Sequence, residues 1–123
     1  MKWAESLKPA ASEFGFGPRT TSAGTYTATI EVTAPYRKGK LLSTVIMVKD
    51  AEGQPVDGAE ITIDGGMPQH GHGLPTKPRA TAEVEPGRYR IDGVKFNMGG
   101  WWEFKLRITA GAASDSITFN IKL

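Results

Sequence analysis

Both histidines of the chain sit in one short stretch, GGMPQHGHGLP, as His70 and His72 with a single glycine between them and Met67 three residues earlier. In extended or loosely coiled backbone, residues i and i+2 project to the same side with Cα atoms roughly 6.5–7 Å apart, so two imidazoles can converge on one ion. Gly71 and Gly73 leave the backbone free to adopt the φ values that convergence needs. Met98 occurs in a second loop, FNMGGWW, beside Gly99 and Gly100. Imidazole and thioether together are intermediate-to-soft donors, which favours copper, as Cu(I) or Cu(II), over magnesium, calcium or manganese. The same residues admit a second reading, a polar turn whose imidazoles bond the backbone while Met67 and Met98 fill the core. Two histidines do not close a site, so a metal centre here requires Met67, Met98 or both.

Other chemistries find little support. The absence of cysteine removes disulfides, thiolate metal sites and thiol catalysis. No serine lies in a nucleophile-elbow sequence and neither histidine neighbours a nucleophile, so a non-catalytic protein is expected. A net charge of +2, with signs alternating along the chain, argues against nucleic acid as a partner. No apolar run is long enough to span a bilayer. The opening MKWAESLKPAASEFGFGP lacks the apolar core of a secretory leader, which leaves a cytosolic protein or a mature envelope protein. Thioether ligands suit an oxidising compartment, because they do not cross-link as thiols do.

The elements that must position these residues read as strands throughout. Residues 1–24 form an irregular arm punctuated by Pro9, Gly15, Gly17, Pro18 and Gly24, with Trp3, Phe14 and Phe16 as candidate anchors. Residues 25–123 form one domain. Tyr26, Ala28, Ile30 and Val32 alternate with polar residues, as do Ala59, Ile61 and Ile63. The run VIMV, ending at Val48, is a strand whose face periodicity does not settle. A strand near residues 81–85, a Pro86-Gly87 turn and a strand carrying Tyr89 and Ile91 follow the histidine loop. A terminal hairpin then turns at Gly111, with Trp102, Phe104, Leu106 and Ile108 on one face and Ile117, Phe119, Ile121 and Leu123 repeating the alternation. The sum is an all-β fold, an immunoglobulin-like β-sandwich of about seven antiparallel strands. Alternation sends Trp102 into the core and displays Trp101 outward, as a cover for the metal or a contact surface, unless the arm covers it.

The run VKDAEGQPVDGAEITIDGGMPQHGHG, followed by PGRYRIDGVKFNMGGWWEFKLRI, resembles the YtkA-like domain, a family related to the extracytoplasmic domain of FixH-type proteins. The family's turn falls on Asp50, Gly53, Pro55, Val56, Gly58 and Ala59, and its His/Met loop on Met67, Pro68, His70, Gly71, His72 and Gly73. Its later motifs fall on Gly87 and Tyr89 and on Met98, Gly100 and Trp102, so that the likeness covers residues 41–123. Family loops often hold more methionines than the single Met67 here. The resemblance implies a sandwich in the bacterial cell envelope, periplasmic or otherwise extracytoplasmic, with FixH-type relatives linked to copper supply for oxidase assembly. On that footing the chain is expected to be a copper-binding chaperone or accessory domain, with an envelope protein as donor or acceptor of the ion. Its ligands would be His70, His72, Met67 and Met98, and Trp101 would cover them. The competing expectation is a metal-free envelope module in which the histidine loop and Trp101 contact a protein or an apolar small ligand.

Overall fold

The computed structural model describes residues 8–32 and 35–123, so the candidate anchor Trp3 lies outside the described residues. Among the described residues, nine strands form two antiparallel sheets that enclose one core: β1 (Arg19–Thr20), β2 (Tyr26–Glu31), β3 (Leu42–Asp50), β4 (Glu60–Met67), β5 (His72–Gly73), β6 (Arg79–Glu85), β7 (Arg88–Val94), β8 (Trp101–Ala110) and β9 (Ala113–Lys122). One sheet has the order β1-β2-β3-β7-β6, the other β5-β4-β8-β9. The fold is a β-sandwich, as the alternation predicts. The two strands beyond the expected seven are two-residue pieces, β1 within the arm and β5 within the histidine loop. Neither is long enough to show a period.

Alternation sets the core. Tyr26, Ala28 and Ile30 of β2 face inward, while Val32 beyond the strand is partly exposed. Pairing resolves the face of VIMV: Ala28 lies opposite Val48 and Ile30 opposite Ile46, so these four share the buried side and Val45 and Met47 turn outward. From the other sheet come Ile61, Met67, Trp102, Phe104, Leu106, Ile108, Ile117, Phe119 and Ile121. The strand β6 has no buried residue, in keeping with its place at a sheet edge with Arg79, Glu83 and Glu85 along it.

The described part of the arm is fastened to the sandwich. The Gly15 N–H donates to the Asn120 carbonyl (2.9 Å), and the Ile30 N–H donates to the Phe16 carbonyl (2.8 Å). The Phe16 ring meets Tyr36 edge to face at 5.7 Å. Beyond β1, the buried Asp115 carboxylate accepts from the Thr21 hydroxyl (2.6 Å) and from the Ala23, Thr25 and Ser116 N–H groups. These donors, the Thr21 hydroxyl first, hold its carboxyl well below the usual carboxylate range. A depressed folded-state pKa means that the stabilisation is complete above the unfolded value of about 3.9 and is lost as pH falls through and below it. Asp115→Asn is therefore expected to lower Tm at neutral pH. The gap between variant and wild type should narrow on acidification below about pH 4, as read by thermal melts across the acid range.

Candidate metal centre

The histidine stretch folds as a tight hairpin at one end of the sandwich. Met67 pairs with His72 and Gly66 with Gly73, and the four residues between them make the turn. The Met67 carbonyl accepts from both His70 N–H (3.1 Å) and Gly71 N–H (3.0 Å), and Gly71 supplies the left-handed φ of +65° that closes the loop. Gly65 and Gly66 precede it with φ of +152° and +156°, where a side chain would collide with the backbone of Glu103 and of His72 respectively. The glycines preceding Met67 thus let β4 lie hard against β8 on one side and β5 on the other.

This geometry brings the imidazoles together. Their ring centroids are 6.1 Å apart with planes 28° from parallel, and both side chains are exposed. The His72 Nδ1 lies 3.0 Å from the Gly73 carbonyl oxygen. A carbonyl oxygen only accepts, so Nδ1 carries the hydrogen and Nε2 keeps its lone pair free for a ligand. Because paired residues of antiparallel strands project to the same face, His72 lies on the side to which Met67 points, and its ring meets the Trp102 indole edge to face at 5.8 Å. Met67 itself is 1% exposed, its methyl directed under the NMGG loop, where a Cβ on Gly100 would come within 2.8 Å of it.

The Met98 loop lies at the same end. The Trp102 indole N–H donates to the Met98 carbonyl (3.0 Å), and Gly100 and Leu123 exchange two backbone hydrogen bonds that tie the loop to the end of the chain. The Met98 side chain is half-buried against the core. The hairpin and the Met98 loop thus meet at Trp102, through His72 and the Met98 carbonyl, with His70 beside His72 and Met67 opposite it in the ladder. Among the described residues, no group of three or more histidine, cysteine, aspartate or glutamate side chains is placed to hold an ion. Glu103, in the open depression of about 220 Å³ beside the hairpin, is engaged by Lys105 at 3.6 Å. The Met67 thioether lies buried on the side of the hairpin to which His72 projects.

Trp101 departs from the expectation of an exposed cover or contact surface. It does face away from the core, but it is only 5% exposed. Its indole N–H donates to the Asn120 side-chain oxygen (3.1 Å), and the Asn120 amide donates in turn to the Glu13 carbonyl (3.2 Å), so the arm lies over this face. The aromatic that meets His72 is Trp102, which alternation assigns to the core alone. It does both: 0% exposed, it packs on Phe96 at 5.1 Å inside and on His72 at the rim. The one signal for this in the sequence is the pairing of Met67 with His72, which requires knowing that a two-residue strand forms.

Fold and site together define a small β-sandwich that carries a histidine hairpin over a sulfur- and indole-lined end. The YtkA-like family pattern matches residues 20–107, and the chain belongs to that family. A solved structure of a ZirS C-terminal domain is similar over 94% of this chain and 82% of its own, at 18% identity and a TM-score of 0.47. No curated protein matches the chain.

Proposed function

We propose that this chain is a non-catalytic copper-binding domain of the cell envelope, built on an immunoglobulin-like sandwich and related to the extracytoplasmic part of FixH-type proteins. Its role is that of a chaperone or accessory that takes copper from, or passes it to, an envelope protein. The observation that carries the reading is the imidazole pair, 6.1 Å between ring centroids, with His72 Nδ1 bound to the Gly73 carbonyl so that Nε2 is the nitrogen left to act as a ligand. His70 and His72 supply the nitrogen ligands, and the thioethers of Met67 and Met98 lie on the inner side. The burial of Trp101 leaves the competing interaction-module reading with the histidine hairpin alone.

The test is a competition titration of metal-free protein with Cu(I) against a chromogenic chelator, and separately with Cu(II). Sub-micromolar uptake of one equivalent is expected in the wild type, lost in His70→Ala/His72→Ala, with an unchanged fold because both side chains are exposed. Uptake should also weaken as the medium is made mildly acidic, since protons compete for imidazole. Equal uptake by the double variant sinks the proposal.

A further inference from the structure

We propose that the end of the sandwich that carries the hairpin is a docking surface for an anionic lipid bilayer, which the turn at residues 37–40 meets with its cations and Leu41 enters. The proposal is independent of the copper reading, because it concerns what this end of the molecule rests on and not what the histidines hold.

Charges whose signs alternate along the sequence separate in the fold. At the hairpin end β2, β4, β7 and β9 finish and β3 and β8 begin. Phe96, between β7 and β8, joins the two sheets there, packing on Trp102 at 5.1 Å and on Tyr36 at 5.3 Å. The connections at this end carry Arg37, Lys38, Lys40 and Lys95, and Lys122 closes β9. Among the described residues, none of these five is in an ion pair. The acids nearest them are engaged: Glu13 with Arg19 (2.8 Å), Glu31 with Arg88 (3.2 Å), Glu103 with Lys105 (3.6 Å), and Asp64 with the Gly65 N–H (2.8 Å). The opposite end carries Asp50, Glu52, Asp57, Glu60, Glu83 and Glu85. A negative surface therefore attracts the molecule hairpin end first.

The turn holds its cations out from a fixed base. The Lys40 N–H donates to the Arg37 carbonyl (3.2 Å), and Gly39 supplies the φ of +77° that the third residue of a type II turn requires. The Gly39 N–H donates to the Phe96 carbonyl (2.7 Å), and Tyr36 packs on both Phe96 and Phe16. Arg37, Lys38 and Lys40 are all exposed.

Apolar exposure gathers at the same place. Leu41, directly after the turn, is 68% exposed, and Val32, just past β2, is 38% exposed. Cations beside a protruding leucine match a surface with anionic phosphates above and acyl chains below. An acidic protein fits less well. Protein interfaces are depleted in lysine and bury on the order of 800 Å² per partner around an apolar centre. Here four of the five cations are lysines and the apolar part is two side chains. Lysine on a flexible stem is suited to laterally mobile lipid headgroups, where each cation multiplies partitioning by about five.

The experiment co-sediments the metal-free protein with vesicles of phosphatidylcholine alone or with about one-third phosphatidylglycerol. Binding is expected only to the anionic vesicles, and it should weaken as salt is raised. Lys38→Glu/Lys40→Glu should lose about 25-fold or more. Leu41→Ser should lose severalfold while keeping the wild-type salt dependence. All three side chains are exposed, so thermal melts of the variants should match the wild type. The chain has no cysteine, so Leu41→Cys and Glu52→Cys can each carry a polarity-sensitive dye. Its emission should shift to the blue on anionic vesicles at position 41 and stay unmoved at position 52, at the far end.

No binding to anionic vesicles at low salt overturns the proposal and turns the search toward an acidic protein surface. Equal binding to both vesicle types, undiminished binding by the double variant, or equal dye shifts at the two positions also overturns it. None of these outcomes bears on copper uptake, which is measured without lipid.

Discussion

Gly65→Ala is expected to cost roughly 3–5 kcal/mol, the sum of a strained φ and a backbone collision, in a domain whose whole stability is of the order of 5–15 kcal/mol. A Cβ at this position would stand 2.1 Å from the Glu103 carbonyl oxygen, and that carbonyl belongs to a central strand pairing rather than to a flexible side chain. The φ of +152° adds strain that no side chain relieves. The sandwich can respond only by parting β4 from β8 near the hairpin, which would carry His72 away from Trp102. Urea melts should show a large fall in midpoint. Gly71→Ala is the control: its φ is also positive, at +65°, but nothing lies within 4 Å of its Cβ, so a loss of about 1 kcal/mol is expected. Equal costs at the two positions would show that the close approach of β4 and β8 does not decide the matter.

Trp102→Ala is expected to remove about 3–5 kcal/mol through the cavity left by a fully buried indole. It also takes the hydrogen-bond donor from the Met98 carbonyl. Unlike Gly65→Ala, it leaves the strand backbone unstrained. The hairpin should therefore remain paired in whatever fraction is folded, with His72 free to rotate. Chemical denaturation measures the first effect. The second is read from the His72 ring resonances, which should lose the ring-current displacement that an indole at 5.8 Å imposes. An unmoved His72 spectrum would mean that the edge-to-face contact does not persist in solution.

Much of the fold was legible because long strands repeat their pattern. In β8 and β9 the inward residues Trp102, Phe104, Leu106, Ile117, Phe119 and Ile121 alternate with polar ones over ten residues each, and burial follows. The run VIMV was not legible by itself, because a continuous apolar stretch has no period; its face came from pairing with Ala28 and Ile30. Neighbouring imidazoles at His70 and His72 were foreseen from their spacing and from the backbone freedom of the glycines around them, and the chain reaches that end through a left-handed Gly71 and a two-residue strand. The fate of Trp101 was decided by partners without any periodic signal: one amide, Asn120, and the backbone of an arm that reads as irregular. The roles of Trp102 differ again, since a rim contact with His72 arises only once β5 is laid against β4.

The way the arm lies along β9 also bears on how copies of the chain meet. A sandwich of two open sheets has four lateral borders, each a row of unpaired amides that can recruit another strand. Here β1 and β5 end their sheets with two residues apiece, too few to seed an added strand. Along β9 the arm takes the outer carbonyls, Gly15 at Asn120 and Ser22 at Ser116, and so occupies that border from within the same molecule. Two longer borders remain among the described residues: β4 over residues 60–64, which β5 leaves unpaired, and β6, where Glu83 and Glu85 put like charges on any identical strand laid parallel and in register. Self-association is thus resisted by occupancy along β9 and by charge along β6.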